Sequence, residues 1–263
     1  MIDVKVIADS ICKTRITTLA VTMPKFLVAQ LNTHRVFSRN SASSRAIPAL
    51  RVRQQVMEMP YVPSMLPSAQ KGMAGGAPLS QGQAEEVMAV WFAARDDAVR
   101  HHEMLEASGL AKELCNRVLE PWMLTTVLVT STEWSNFFNQ RLPGHGAQAE
   151  MELLAVRMRD SIDASSPRRL LAGHWHLPFC PTVDPANPGQ MVKVSAARCA
   201  RVSYRRHEDV RTFAEDANRH DEMVRLGHWS PFEHIAEAMP GDIPCRNFRG
   251  WYQYRALLDG GKR

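Results

Sequence analysis

The chain is 263 residues long, 45% hydrophobic and 22% charged, with 32 Lys plus Arg against 27 Asp plus Glu and a formal net charge of +5. That length allows one large domain or two small ones, and no run approaches the roughly 18 apolar residues of a membrane span. The opening MIDVKVIADS has acids where a secretion signal is apolar, and Cys12, Cys115, Cys180, Cys199 and Cys245 are odd in number and never spaced as C-x-x-C; this argues against a disulfide framework or a cysteine zinc site and leads us to expect a cytoplasmic protein with reduced thiols.

Residues 16–31, ITTLAVTMPKFLVAQL, are β-branched and apolar, and Pro24 inside them predicts two short strands meeting at a turn, or an edge strand broken at the proline. The stretch NTHRVFSRNSASSR (32–45) follows. It lies in a span, Ser10 through Met57, with no Asp or Glu, while Lys13, Arg15, Lys25, Arg35, Arg39, Arg45, Arg51 and Arg53 are basic. Residues 63–83, rich in Pro, Gly, Ser and Gln, predict a surface loop of the kind that often serves as a lid. From Ala84 to about Leu119 the pattern is helical, with Val87, Trp91, Ala94 and Ala98 on one face and Gly109 dividing the run. A further helix follows Glu150, where Met151, Leu154, Ala155, Met158 and Ile162 recur at helical spacing. Residues 178–190 carry four prolines and read as a joint. Beyond it QMVKVSA reads as a strand and 208–226 as a charged helix. In GHWSPFEH, Ser230 reads as the N-cap of a helix with Pro231 at its first position. The fold class predicted is α+β.

Three blocks carry chemistry. In QLNTHRVFSRNSASSR, arginines and hydroxyls along a turn are suited to surrounding a phosphate. A nonspecific nucleic-acid patch is the competing reading, but only Phe26 and Phe37 are nearby to stack on bases. In the second block, residues 116–155, Asn136, Arg141, His145, Gln148 and Glu150 are polar residues set among aromatic and aliphatic ones, and a buried arginine there needs a partner or a ligand. The third block is AARCARVSYRRH followed by GHWSPFEH. A metal site from His228, Glu233 and His234 lacks the H-E-x-x-H spacing, and the cap accounts for the pattern without metal. Cys180, after two histidines, has no assignable activating group and reads as an inert thiol.

Together the blocks resemble the flavin-dependent thymidylate synthases. That family's signature is an Arg-His-Arg triplet followed by Ser, Asn-Glu, Ser and Arg-Tyr. Thr33, His34, Arg35, Ser38, Asn40, Ser43 and Arg45 fall in register with it, and Gln30 matches a glutamine three residues before the triplet. Asn136, Phe137, Arg141, His145, Ala147, Gln148 and Glu150 match a second family segment with one extra residue. The third block is similar to the family's A-A-R-V-S-[FY] and G-H-x-[ST]-P-F-E-H. Here Thr33 replaces the first arginine, Ser41 the glutamate and Ala46 the tyrosine. In the family the third block comes first, so the order here implies a circular permutation, which a fold tolerates when its termini lie close together.

The resemblance implies a single domain with an antiparallel sheet packed against several helices. It implies reductive methylation of dUMP to dTMP, with methylenetetrahydrofolate as carbon donor, FAD as carrier and NADPH as reductant. It assigns Gln30, Ser43, Arg45, Arg117 and Arg141 to dUMP. It assigns His34, Arg35, Ser38, Asn136, Ser203, Ser230 and Glu233 to FAD, with His228 near folate and flavin. Arg141 and His228 are the catalytic candidates and no metal is expected. A homotetramer with shared active sites follows from the resemblance, with no membrane or nucleic-acid partner. Two alternatives stay open: a flavin- and folate-dependent dUMP hydroxymethylase, and a basic nucleic-acid-binding protein. The C-terminal NFRGWYQYR has no family counterpart, although Arg249 and Arg255 are placed to line the same pocket.

Overall fold

A computed structural model describes residues 2–43, 45–72, 75–180, 187–204 and 211–260. Its frame is set by two long strands, β1 (Asp3–Ile11) and β2 (Arg15–Pro24), which pair antiparallel with a bulge between Val6 and Ala8. Pro24 is the last residue of β2, where its missing N–H costs no ladder bond. The chain then turns through a 3-10 segment (Lys25–Leu27) into the short helix α1 (Val28–Leu31). The expected pair of strands, or broken edge strand, over 16–31 is thus one central strand followed by helix.

The signature forms β3 (Ser38–Ser41), and helix α2 (Ala49–Glu58) follows it. Residues 59–72 and 75–79 are loop, with a bridge from Pro67 to Pro78. Helix α3 (Gln81–Ala107) starts three residues before the expected Ala84, because Ser80 and Gln83 form a capping box. Gly109 then breaks the run at φ +77°, a left-handed conformation that favours glycine. Helix α4 (Lys112–Cys115), a 3-10 stretch (Asn116–Trp122) and β4 (Leu124–Ser131) lead to α5 (Ser135–Arg141) and α6 (Ala149–Asp163). Two short strands follow, β5 (Arg168–Arg169) and β6 (Trp175–His176).

The main sheet runs β3-β4-β2-β1-β5, antiparallel except where β5 joins β1. Alternation along β2 and β4 sends Leu19, Val21, Met23, Val127 and Val129 to one face, where Met151, Leu154, Ala155, Met158 and Ile162 of α6 pack on them. Each large side chain buried there contributes roughly 1.5–3 kcal/mol.

Leu128 and Ala20 face the other side and meet α7 (Pro188–Arg201). The expected strand QMVKVSA lies within this helix. Asn187 caps it by accepting from the Gln190 N–H, Pro188 sits in its first turn, and Met191, Val192, Val194, Ala196 and Ala197 are all buried. Part of the expected joint, residues 181–186, lies outside the described residues, as do 208–210 of the charged helix, α8 (Phe213–Leu226). A 3-10 turn (Ser230–His234) leads to β7 (Ala236–Ala238), β8 (Pro244–Cys245), β9 (Phe248–Arg249), β10 (Trp251–Gln253) and α9 (Tyr254–Leu258). Strand β7 lies between β10 and β6, and β8 pairs with β9. The fold is α+β.

A row of buried polar side chains crosses the sheet. Ser10 Oγ and His176 Nδ1 are 2.9 Å apart, His176 Nε2 and Thr18 Oγ1 2.8 Å, Thr18 and Thr130 hydroxyls 2.7 Å, and Thr130 Oγ1 and His234 Nδ1 2.8 Å. Thr18 and Thr130 are cross-strand partners. Burial pushes both histidines down to about 3, so they are neutral at pH 7. Among the described residues no helix is long and apolar enough to cross a membrane.

Candidate functional site

The signature leaves α1 through a short turn that buries His34 against Phe137 and Phe37, with ring centroids 4.9 and 5.8 Å away. Arg141, the last residue of α5, donates from Nε to His34 Nε2 at 3.0 Å and from Nη2 to Thr33 Oγ1 at 3.3 Å. Burial, then Arg141 and Arg39, hold the His34 pKa below its ordinary value. The imidazole is therefore neutral and offers Nε2 as an acceptor. Thr33 donates to the Gln30 carbonyl at 2.7 Å while accepting from Arg141. The family arginine at position 33 would repel Arg141, whereas threonine supplies a neutral acceptor.

Gln30 extends this end of the site. Its Nε2 donates to Gln148 Oε1, Gln148 donates to Glu150 Oε2, each at 2.8 Å, and Tyr61 OH donates to Glu150 Oε1 at 2.5 Å. The chain backs a cavity of about 540 Å³ lined by Phe26, Tyr61, Trp91 and Glu150 and by loop residues Pro63, Met65, Leu66, Pro67, Gly75 and Gly76.

At the far end of β3, Asn40 is buried and joins blocks remote in sequence. Its Nδ2 donates to the Cys199 carbonyl at 2.9 Å, while its Oδ1 accepts from Ser203 Oγ at 3.1 Å and Ser230 Oγ at 3.4 Å. The Ser43 N–H donates to the Ser203 carbonyl at 3.0 Å. These residues border a second cavity, about 400 Å³, lined by Ser43, Arg45, Ser203, Arg219, His228 and Ser230 among others, with no acidic residue in its lining among the described residues; Arg219 is bridged to Glu222 at 2.7 Å. Two guanidinium groups and three hydroxyls around such a cavity suit a phosphate. Ser230 is not a helix cap: Trp229 holds that position with no side-chain bond, and the hydroxyl goes to Asn40 instead.

The remaining assignments fall elsewhere. Ser38 is fully buried, and its Oγ accepts from Asn247 Nδ2 at 2.9 Å and Gln253 Nε2 at 3.2 Å. Glu233 pairs with Arg255. Arg35 and Asn136 are exposed and do not line the phosphate-type cavity. Arg117 stands apart from it, exposed and bridged to Glu120 at 2.7 Å. Arg249 pairs with Asp242 at 3.0 Å, so neither C-terminal arginine enters that cavity. Arg219 is the cavity residue that sequence reasoning missed. Nothing marks it out among the charged residues of α8.

Among the described residues no three His, Cys, Asp or Glu side chains converge as a metal site. Cys180 is buried, and burial pushes its thiol up to about 11, far from an activated thiolate.

The family model described as thymidylate synthase complementing protein matches residues 8–168, more than half of the chain. The chain belongs to that family. The match holds the signature and the helical segment with Arg141, and it stops before the third block. Two solved structures are similar to this family member. The UMP/dUMP methylase PolB from Streptomyces cacaoi bound with 5-Br dUMP aligns at 19% identity and a TM-score of 0.49, covering 61% of this chain and 89% of that one. The same enzyme with 5-Br UMP aligns at 18% identity and a TM-score of 0.49, covering 61% and 88%. No curated protein matches the sequence.

Proposed function

We propose that this family member is a flavin-dependent thymidylate synthase of permuted order, which methylates dUMP with methylenetetrahydrofolate as carbon donor and NADPH as reductant. The observation that carries the reading is the convergence on Asn40. Signature residues Ser43 and Arg45 and third-block residues Ser203, His228 and Ser230, about 160 or more positions away, line one cavity. Permutation draws support from the same fact and from the family match ending ahead of the third block.

The donor set of hydroxyls and arginines fits the phosphates of a nucleotide and of FAD. In this reading Ser43 and Arg45 hold the nucleotide phosphate, and Ser203, Ser230 and Glu233 belong to the flavin seat. When bound, the flavin supplies one-carbon transfer and hydride chemistry. The chain's own task is to push electrons into the pyrimidine, whose carbon 5 is a poor nucleophile. Arg141 is suited to that. Two of its donors are fixed on Thr33 and the neutral His34, which holds the guanidinium plane in one orientation, and a guanidinium fixed in this way would stabilise charge developing on the ring nitrogen and carbonyls. Gln30, held by Gln148, accepts at its carbonyl from the same Thr33.

Arg35, Asn136 and Arg141 do not line the cavity of Ser43 and Arg45. We therefore propose that a second copy completes each site, as in a homotetramer. The test is the visible spectrum of the purified protein with added FAD, followed by the mass of the product from dUMP. A bound flavin and a methylated product support the reading, and a hydroxymethylated product points to the hydroxymethylase instead. A colourless protein that binds oligonucleotides in a steeply salt-dependent way overturns it.

A further inference from the structure

The C-terminal NFRGWYQYR is the segment that the family resemblance leaves without a role. In the structure it runs through β9 and β10 into α9 and touches both halves of the site. Toward the signature, Asn247 Nδ2 donates to the Val36 carbonyl at 3.0 Å and to Ser38 Oγ at 2.9 Å, and Gln253 Nε2 reaches the same Ser38 Oγ at 3.2 Å. Gln253 Nε2 also donates to Asn247 Oδ1 at 2.8 Å, locking the two carboxamides together. Toward the third block, Gln253 Nε2 lies 3.4 Å from the Glu233 carbonyl, the Tyr254 N–H donates to the Ile235 carbonyl at 2.9 Å, and Arg255 Nη1 grips the Glu233 carboxylate. Tyr254 adds its ring against Phe232 at 5.9 Å and shares a hydrogen bond with His220 Nε2 at 2.9 Å.

Every residue from Phe232 to Ile235 except His234 is thus held by this one segment, while β3 is held by the same two carboxamides. Gln253 is 2% exposed and Ser38 fully buried, so neither reaches a ligand. Their bonds serve geometry. A buried carboxamide that spans two elements fixes their separation, because a shift of either leaves a buried polar group without its partner.

We propose that residues 247–255 act as a strap that sets the spacing between β3 and the 230–235 turn, with Asn247, Gln253 and Arg255 as positioning residues for Glu233. That this spacing governs flavin seating rests on the flavin reading above; the mechanical role does not.

The experiment compares Arg255→Gln, Arg255→Lys and Gln253→Glu with the unaltered full chain. It combines hydrogen exchange of the 230–236 amides with titration by FAD and, separately, by dUMP. Because Arg255 lies at the rim, with 34% of its side chain exposed, Arg255→Gln is expected to fold and to melt within a few degrees of the parent. Amide exchange over 230–236 should rise about tenfold, FAD affinity should fall about tenfold and dUMP affinity should change about twofold or less, with Arg255→Lys recovering most of both losses. Unchanged exchange in Arg255→Gln and Gln253→Glu overturns the strap. Faster exchange with unchanged FAD affinity supports the strap and counts against Glu233 as part of the flavin seat. Equal loss of exchange protection throughout the chain assigns the segment to general stability and overturns the positioning role.

Discussion

Two polar regions of this molecule are both built around threonine and histidine and come out as opposites. The row Ser10, His176, Thr18, Thr130 and His234 is sealed inside the fold, with each link between its members closed at 2.7–2.9 Å and His234 Nε2, at its end, buried without a partner among the described residues. The cluster of Thr33, His34, Arg39 and Arg141 is only half closed. Arg141 spends Nε and Nη2 on its neighbours, and Nη1 has no partner among the described residues. At the far end of β3, Arg45 is exposed and lines a cavity with no acid among its described lining residues. The closed row fixes the sheet. In the proposed function the half-closed cluster keeps preorganised donors for a ligand. What separates the two is burial and charge: every member of the row is buried and none is an arginine, whereas the second cluster holds the half-buried Arg39 and Arg141.

The sharpest way to break this comparison is Arg141→Lys. Lysine keeps the charge but loses the planar fork that engages His34 and Thr33 together, so it cannot be aimed. The expected result is a loss of about 10²–10³-fold in kcat, roughly 3–4 kcal/mol, with dUMP affinity changed far less. Single-turnover kinetics beside Arg45→Lys check it. A mere rise in KM for Arg141→Lys, with a kcat defect in Arg45→Lys, means that the two roles are reversed.

In the closed row the corresponding change is Thr130→Val, which keeps shape and removes the hydroxyl between Thr18 and His234. Both partners remain buried, so stability should fall by about 2–4 kcal/mol in a urea titration, with the slope m unchanged. A loss below about 0.5 kcal/mol shows that the row adds nothing beyond packing.

The row also sets a pH dependence. His176 and His234 are held near 3 in the folded chain and return to about 6.5 when unfolded, so below pH 6.5 the unfolded state binds more protons. Their contribution is fully present above about pH 6.5 and is lost as pH falls toward 3, at about 1.4 kcal/mol per pH unit for each histidine. Urea midpoints at pH 7 and pH 5 check the sign. His176→Asn should flatten the slope, and equal midpoints in the parent would falsify neutral burial.

How much of this was legible follows the same division. Helix α6 could be read because one face is buried and the other wet, so Met151 to Ile162 mark its period. Helix α7 could not, because Met191 to Ala200 are buried almost all round and the valines mimic a strand; only Asn187 and Pro188 signal its start. The residues around Asn40 were legible as a motif, but not as a meeting point. The Ser230 hydroxyl has a local use as a cap and a distant one on Asn40, and only the fold decides between them. Arg117 illustrates the limit of spacing, since a position four residues before Pro121 fixes neither its direction nor its partner, Glu120.

The smallest expected effect concerns Cys180, which separates a closed site from a reactive one within a single side chain. Two histidines precede it, and Arg198 Nη1 lies 3.9 Å from its sulfur, an arrangement that in an open cleft would favour a thiolate. Here the side chain is 5% exposed and burial outweighs the guanidinium, raising the thiol to about 11. Arg198 is also committed elsewhere, to the Phe179 carbonyl at 2.8 Å and to the buried Asp216 at 3.3 Å. Cys180→Ala therefore removes one small apolar contact and no chemistry. Stability should fall by about 1 kcal/mol, and turnover of dUMP should stay within about twofold of the parent. A variant that melts like the parent yet turns over more than tenfold slower makes Cys180 a participant, and the line drawn between closed and open polar groups then fails at this residue.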